Sequence, residues 1–230
     1  MGLPLFPTFR YANWASHKNQ NWSNIVNRST SGGRLSVPLW PNNPLWSWEW
    51  QYEVVLNDPK KLSFTTAPNN NTLYSDLQIL EAFYFMQRGM GNLFIYQPPD
   101  SVQVDTVLGT GVDTNNNIEL VHPIGAVPDP SAGLTVINES VQELNGVNVT
   151  VKVAGTPTSS WTLLNAATTP PYEGYVIHFS SPPGVGTITS SFTYYYRCAF
   201  SEDMQDYEQF AILLYQLQSL KYEQVRVTTT

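Results

Sequence analysis

Hydrophobic and polar positions alternate most regularly between Leu45 and Leu56. Trp46, Trp48, Trp50 and Tyr52 fall on one face of an extended chain, while Leu45, Ser47, Glu49, Gln51 and Glu53 fall on the other. That is the period of a β-strand with one apolar side. Residues 34 to 56 hold four of the seven tryptophans, Trp40 among them, so the apolar side is a wall for a core, a sugar or a protein partner.

A helical period takes over after the loop-like run Ala67-Pro68-Asn69-Asn70-Asn71. Thr72 is placed to cap a helix from about Leu73 to Arg88, with Leu73, Leu77, Leu80, Phe83 and Tyr84 forming its apolar stripe. Gly89 then stands where a left-handed residue ends a helix. Gly91 to Tyr96 is predicted as a short strand, closed by Pro98-Pro99-Asp100.

Residues 101 to 186 change character, with valine and threonine dominating and turn residues recurring. Gly109-Thr110-Gly111 and Asn115-Asn116-Asn117 are predicted turns, and Asn145-Gly146 is a hairpin signal before the alternating Val147 to Val153. Further strands are expected at Ile118 to Val121, Leu134 to Ile137, Trp161 to Leu164 and Tyr175 to Phe179. After Ser181-Pro182-Pro183-Gly184 a long strand runs from Thr187 to Phe200, with aromatic residues on both faces. Beyond it, Ser201 is placed to cap a second helix whose Tyr207, Phe210, Leu213, Leu214 and Leu217 follow helical spacing, and a strand from Tyr222 to Val227 closes the chain. The expected organisation is one domain from residues 1 to 100 and 187 to 230, with an all-β module, 101 to 186, inserted.

Composition narrows the function classes. Charged residues make up 13% of the 230, well under the roughly 25% of ordinary soluble domains, and a surface short of charge suits subunit contacts. The net charge of −7 argues against a protein that grips phosphate, which needs clustered Lys and Arg. The single cysteine, Cys198, permits no internal disulfide and reads as an inert thiol on a strand. His17, His122 and His178 are far apart, so neither a metal site nor a cofactor is expected. No apolar run reaches the ~20 residues of a membrane span, and Met1 to Pro7 has neither the charged start nor the apolar run of a signal peptide.

Catalytic constellations fail in turn. Gly109-Thr110-Gly111 lacks both the lysine and the following helix of a phosphate loop. Glu49 and Glu53 share a strand face about 13 Å apart at ~3.3 Å per residue, beyond the ~5–9.5 Å of glycosidase carboxylate pairs. No Gly-x-Ser-x-Gly elbow occurs. The chain is therefore read as a non-enzyme.

The order of motifs resembles a known family. Phe6-Pro7, Gly33-Arg34, Leu39-Trp40-Pro41, Trp46 to Tyr52, a helix ending in Arg88-Gly89, Phe94-Ile95-Tyr96 and Pro98-Pro99-Asp100 follow one another as in tail proteins of phages, prophages and gene-transfer agents. Leu108 to Gly111, Leu144 to Val147, Tyr175 to Phe179 and Phe200-Ser201-Glu202-Asp203 extend the resemblance over roughly residues 5 to 227. Gln97, where an acidic residue is common, and the Asn19 to Ser31 and 67 to 72 segments depart from it.

The resemblance implies a distal tail protein: a structural virion subunit at the tail tip, assembled in the bacterial cytoplasm. Such subunits form a ring, usually of six copies, between the tail tube and the hub or baseplate. The implied fold is mainly β, a tail-tube-like barrel or sandwich with two packing helices and the inserted β module. Arg34, Trp40, Trp46, Trp48, Trp50, Tyr52, Arg88 and Tyr96 become the candidate core or interface residues. DNA would pass only in transit through the lumen, where an acidic balance suppresses sticking. The alternative is an outward-facing carbohydrate-binding module, for which Trp161, Tyr172 and Tyr175 are the candidate glycan contacts.

Overall fold

The computed structural model describes residues 3–7, 9, 15–21, 24–28, 34–38, 45–56, 75–111, 116–129, 131, 133–144, 149–165, 174–203, 205, 207–211 and 214–225. It is mainly β and antiparallel, and the described residues fall into two compact units, one from Met1–Ile95 and Cys198–Val225, the other from Tyr96–Arg197.

The first unit begins with β1 (Ala15–Asn21), the ribbon β2 (Asn24–Arg28) and β3 (Arg34–Pro38), and the long β4 (Leu45–Leu56). Helix α1 (Asp76–Gln87), a 3-10 turn at Gly89–Gly91 and β5 (Phe94–Tyr96) follow. In the second unit come β6 (Val102–Gly111), β7 (Asn117–Glu119), β8 (Val121–Asp129), β9 (Gly133–Ser140) and β10 (Glu143–Leu144). They are followed by β11 (Thr150–Val153), β12 (Thr156–Thr158), β13 (Trp161–Leu164) and β14 (Val176–Phe179). The 15-residue β15 (Gly186–Phe200) returns the chain to the first unit, which β16 (Tyr207–Ala211) and β17 (Leu214–Gln224) complete.

In the first unit β4 lies between β1 and β17, and β17 pairs in turn with β16 and with the end of β15. The alternation along β4 becomes burial: Trp46, Trp48, Trp50, Tyr52 and Val55 are all buried, whereas Leu45, Ser47 and Glu49 are half-buried and Gln51 is exposed. Leu77, Leu80 and Phe83 of α1 are also buried, and Phe83 meets Phe6, Phe94 and Phe200 at ring separations of 5.4 to 6.2 Å. Trp48 stacks on its cross-strand partner Tyr222 at 5.6 Å. Backbone bonds from Phe6 N to Ile95 O and from Ile95 N to Pro4 O, each 2.8 Å, tie the N-terminal segment to β5.

Three expectations are corrected. The described residues contain one α-helix, and the segment expected to form the second is β16 and the start of β17. The i, i+3 spacings that mimic a helix there are absorbed by irregularities that shift register between Gln209 and Ala211, between Tyr215 and Leu217, and again between Leu217 and Leu220. Pairing of β17 with β4, a partner some 160 residues away in sequence, and of β16 with β17 overrides the local pattern. Secondly, of the expected barrel or sandwich, no closed barrel forms: the sheets of the described residues are open. Thirdly, Gly109-Thr110-Gly111 is no turn but the end of β6, paired with β15. A Cβ on Gly111 would stand 2.3 Å from Gly184 O, so the close approach of two backbones accounts for that glycine.

Helix α1 starts later than expected. Ser75 caps it, accepting from Gln78 N while Gln78 Oε1 accepts from Ser75 N, a complete capping box. Thr72 and Leu73 lie outside the described residues. The left-handed residue at the helix end is Arg88, with Gly89 left-handed after it.

The second unit is organised on β15, which pairs with β6 along one edge and with β11 and β10 along the other, β12 flanking β11. A small sheet β13-β14-β7 contributes Val176, Ile177 and Phe179 to a core shared with Leu120, Val141, Val151, Ile188 and Phe192. The strands β8 and β9 pair only with each other among the described residues. The Asn145-Gly146 turn lies outside those residues.

Candidate assembly surfaces

The tryptophan row does not face water. Trp46, Trp48, Trp50 and Tyr52 are between 3% and 8% exposed, too little for a sugar ring to stack on any of them. The Lys18 ammonium covers Trp46, 4.3 Å from the ring centroid. On the opposite side of β4, Glu49 accepts from Ser219 Oγ at 3.0 Å and lies 3.9 Å from Lys221 Nζ, which also contacts Glu202 at 2.8 Å. The bond to Glu202 raises the Lys221 pKa, with Glu49 adding to it. Glu49 thus belongs to a cross-strand group with Ser219 and Lys221.

The other candidates are scattered. Arg34 opens β3 opposite Arg28, and Arg88 is exposed at the helix end. Tyr96 is buried as the last residue of β5. Trp40 and Tyr172 lie outside the described residues. Trp161 is half-buried, and its indole N–H donates to Thr158 O at 2.9 Å. Tyr175, also half-buried, has its pKa raised by burial and by Glu143, with Arg197 opposing. Arg197 and Glu143 form a salt bridge.

Two motifs distant in sequence meet at the end of α1. Tyr84 OH donates to Glu202 O at 2.8 Å, and Met90 N donates to Asp203 Oδ1 at 3.0 Å, so Arg88-Gly89 and Phe200 to Asp203 form one corner. Gly89 is tightly fitted there, since a Cβ would stand 2.6 Å from Asp203 Oδ1. Around this anchored corner Phe85, Met86 and Met90 are 85%, 51% and 50% exposed, an apolar cluster that the helix leaves uncovered.

No family model matches this chain, and no curated protein matches it.

The second unit hides a polar cluster that the sequence reading did not single out. His122 and Glu139 are cross-strand neighbours at the base of the β8–β9 ribbon, 3.4 Å apart between Nε2 and Oε2. Tyr196 OH donates to Glu139 Oε2 at 3.1 Å, and the His122 ring lies flat on Tyr194 at 4.0 Å. Burial, with Glu139 adding to it, raises the Tyr196 pKa well above the ordinary phenolic value. The His122 and Glu139 side chains are 5% and 2% exposed, so the pair is closed off from solvent. Their geometry suits a pillar that roots the ribbon on β15.

Beyond that root the ribbon is open to water. Val127, Leu134, Val136 and Ile137 are 43% to 66% exposed, and the register puts Val127 and Ile137 on one face, Leu134 and Val136 on the other. Val102, Val104 and Val107 of β6 form a further strip, each more than half exposed. The sequence signal for the ribbon was two apolar, proline-marked runs around Asp129-Pro130-Ser131. Cysteine chemistry adds nothing to these surfaces, because Cys198 is wholly buried and burial pushes its thiol up.

Proposed function

We propose that this protein is a structural virion subunit, a distal tail protein whose copies close into a ring, six in number by the family resemblance, joining the tail tube to the hub or baseplate of the tail tip. DNA passes through the lumen without being held. The observation that carries the reading is apolar side chains left exposed: Phe85, Met86 and Met90 on one unit, and on the other the β8–β9 ribbon and β6, which are also poor in charge. Monomeric proteins rarely leave such patches uncovered, and interface cores are depleted in Lys, Glu and Asp. The colinear motifs supply the placement at the tail tip, and the buried tryptophan row supports a structural rather than a sugar-binding role for β4.

Native mass spectrometry of the purified chain tests the reading. A closed cyclic species, with six copies as the expected mass, supports it; a strictly monomeric protein at all concentrations refutes it. Density for the chain between tube and hub in a virion map tests the placement.

A further inference from the structure

We infer that the β8–β9 ribbon is an assembly arm that packs on the β6 strip of a second copy of this chain. The inference deepens the ring reading and rests on it for closure.

A two-stranded ribbon is marginal on its own in water, and apolar residues on both of its faces make it more so. The pillar of His122, Glu139 and Tyr196 holds only its base. The rest stays uncovered within the subunit, as does the β6 strip, so the two surfaces of one copy do not cover each other. Each is left for another molecule.

Charge narrows what that molecule is. Between Pro123 and Asn138 the only charged residue is Asp129, whose carboxylate is occupied within the tip by Ser131 N and Oγ and by Thr135 Oγ1, at 2.6 to 3.1 Å. On the strip the one charged residue, Asp105, is paired with Lys152 at 2.7 Å. Arm and strip are thus both apolar and locally neutral, a match that the acidic chain as a whole would not give between two of its charged faces. Neither the arm nor the strip carries a Lys or Arg with which to hold a nucleic acid.

Edge chemistry and length agree. Pro123 and Pro128 remove two N–H donors from β8, whereas β9 has no proline, so none of the backbone donors it turns away from β8 is lost. Among the described residues β6 is laddered to β15 alone. The eight residues of β9 and the ten of β6 span about 26 and 33 Å at ~3.3 Å per residue, so one can lie along the other. The arm and the strip are different surfaces, so the contact is head-to-tail, the kind that generates a ring when its rotation closes. One ribbon face covers on the order of 250 Å², short of the ~800 Å² per partner of a standard interface. The arm is therefore one part of a contact that each subunit makes twice.

The test uses the full chain, whose one cysteine is buried and leaves engineered thiols as the reporters. Val136→Cys and Val104→Cys proteins are mixed, treated with a short bis-maleimide, and read by intact mass, beside native mass spectrometry of the unmodified chain. The expected result is a Val136–Val104 cross-link in the mixture, at least tenfold above either variant alone and lost when Leu134→Asp is added to the arm. Cross-linking of Val136→Cys with itself overturns the inference in favour of arm-to-arm pairing. An unmodified chain that forms a closed ring without the mixed cross-link overturns the arm while leaving the ring reading intact. A mixed cross-link in a chain that stops at dimers or open oligomers upholds the arm and refutes the ring.

Discussion

Replacing Trp48 with alanine removes the centre of the β4 wall. Trp48 is 4% exposed and stacks on Tyr222, which in turn packs against Phe6 and Phe94. A tryptophan buries about 150–250 Å², worth about 4–6 kcal/mol at ~25 cal/mol/Å², and that area figure is an upper bound because the unfolded chain is already partly compact. Alanine retains a small share of the burial, and the cavity left beneath Tyr222 adds a cost. The net expectation is a loss of ~3–5 kcal/mol. Against a total stability of about 5–15 kcal/mol the variant sits near the edge of folding. Urea titration followed by far-UV circular dichroism reads the change as a midpoint lowered by roughly 2 M, taking a slope of ~2 kcal/mol/M. Ser47→Ala, on the half-buried opposite side of the same strand, is the control and should stay within ~0.5 kcal/mol of the parent. A Trp48→Ala protein within ~1 kcal/mol of the parent would refute the packing argument. One that folds normally but loses binding to a glycan would return β4 to the sugar-platform reading.

Gly89→Ala should destabilise the corner at the end of α1 by at least ~1–2 kcal/mol, the cost of a left-handed alanine, because its φ is +60° and the new Cβ also meets Asp203. Gly91→Ala, whose nearest neighbour would be Arg88 Cβ at 3.4 Å, should be close to neutral by the same thermal melt. Ser75→Ala removes the capping box and should cost ~1 kcal/mol, with Ser75→Thr recovering most of it in urea titrations. Alkaline titration tests the desolvated phenols: loss of water contact is the largest cause raising the pKa of the buried Tyr194 and Tyr196 and of the half-buried Tyr207 in the folded chain. Their contribution is complete below the unfolded value of about 10, and it is lost as pH rises above that, because the unfolded state releases its phenolic protons first. Melting temperature should therefore fall above pH ~10, and Tyr207→Phe should flatten the fall; an unchanged slope would count against burial at that site.

Local pattern determined much of this protein. The period of two from Leu45 to Leu56 made β4 a strand with its aromatic residues on one side, because side chains of an extended chain alternate irrespective of what they pack against. The stripe of Leu77, Leu80 and Phe83 marked α1, and Val176 to Phe179 and Trp161 to Leu164 were legible as strands. Tertiary structure decided what depends on partners remote in sequence. The segment from Tyr207 carried a helical period, yet β4 offered β17 a ladder of hydrogen bonds, β17 offered the same to β16, and three register shifts reconciled the spacing with strands. Whether the tryptophan row met water or a core was equally undetermined, since alternation states which side chains share a face and not what covers that face. His122 and Glu139 are 17 positions apart and gave no motif; only the β8–β9 register set them side by side, and only β15 supplied the tyrosines that bury them. The exposed arm above that pair became visible for the same reason: a residue's apolar character is local, but its exposure is a property of everything that does or does not fold against it.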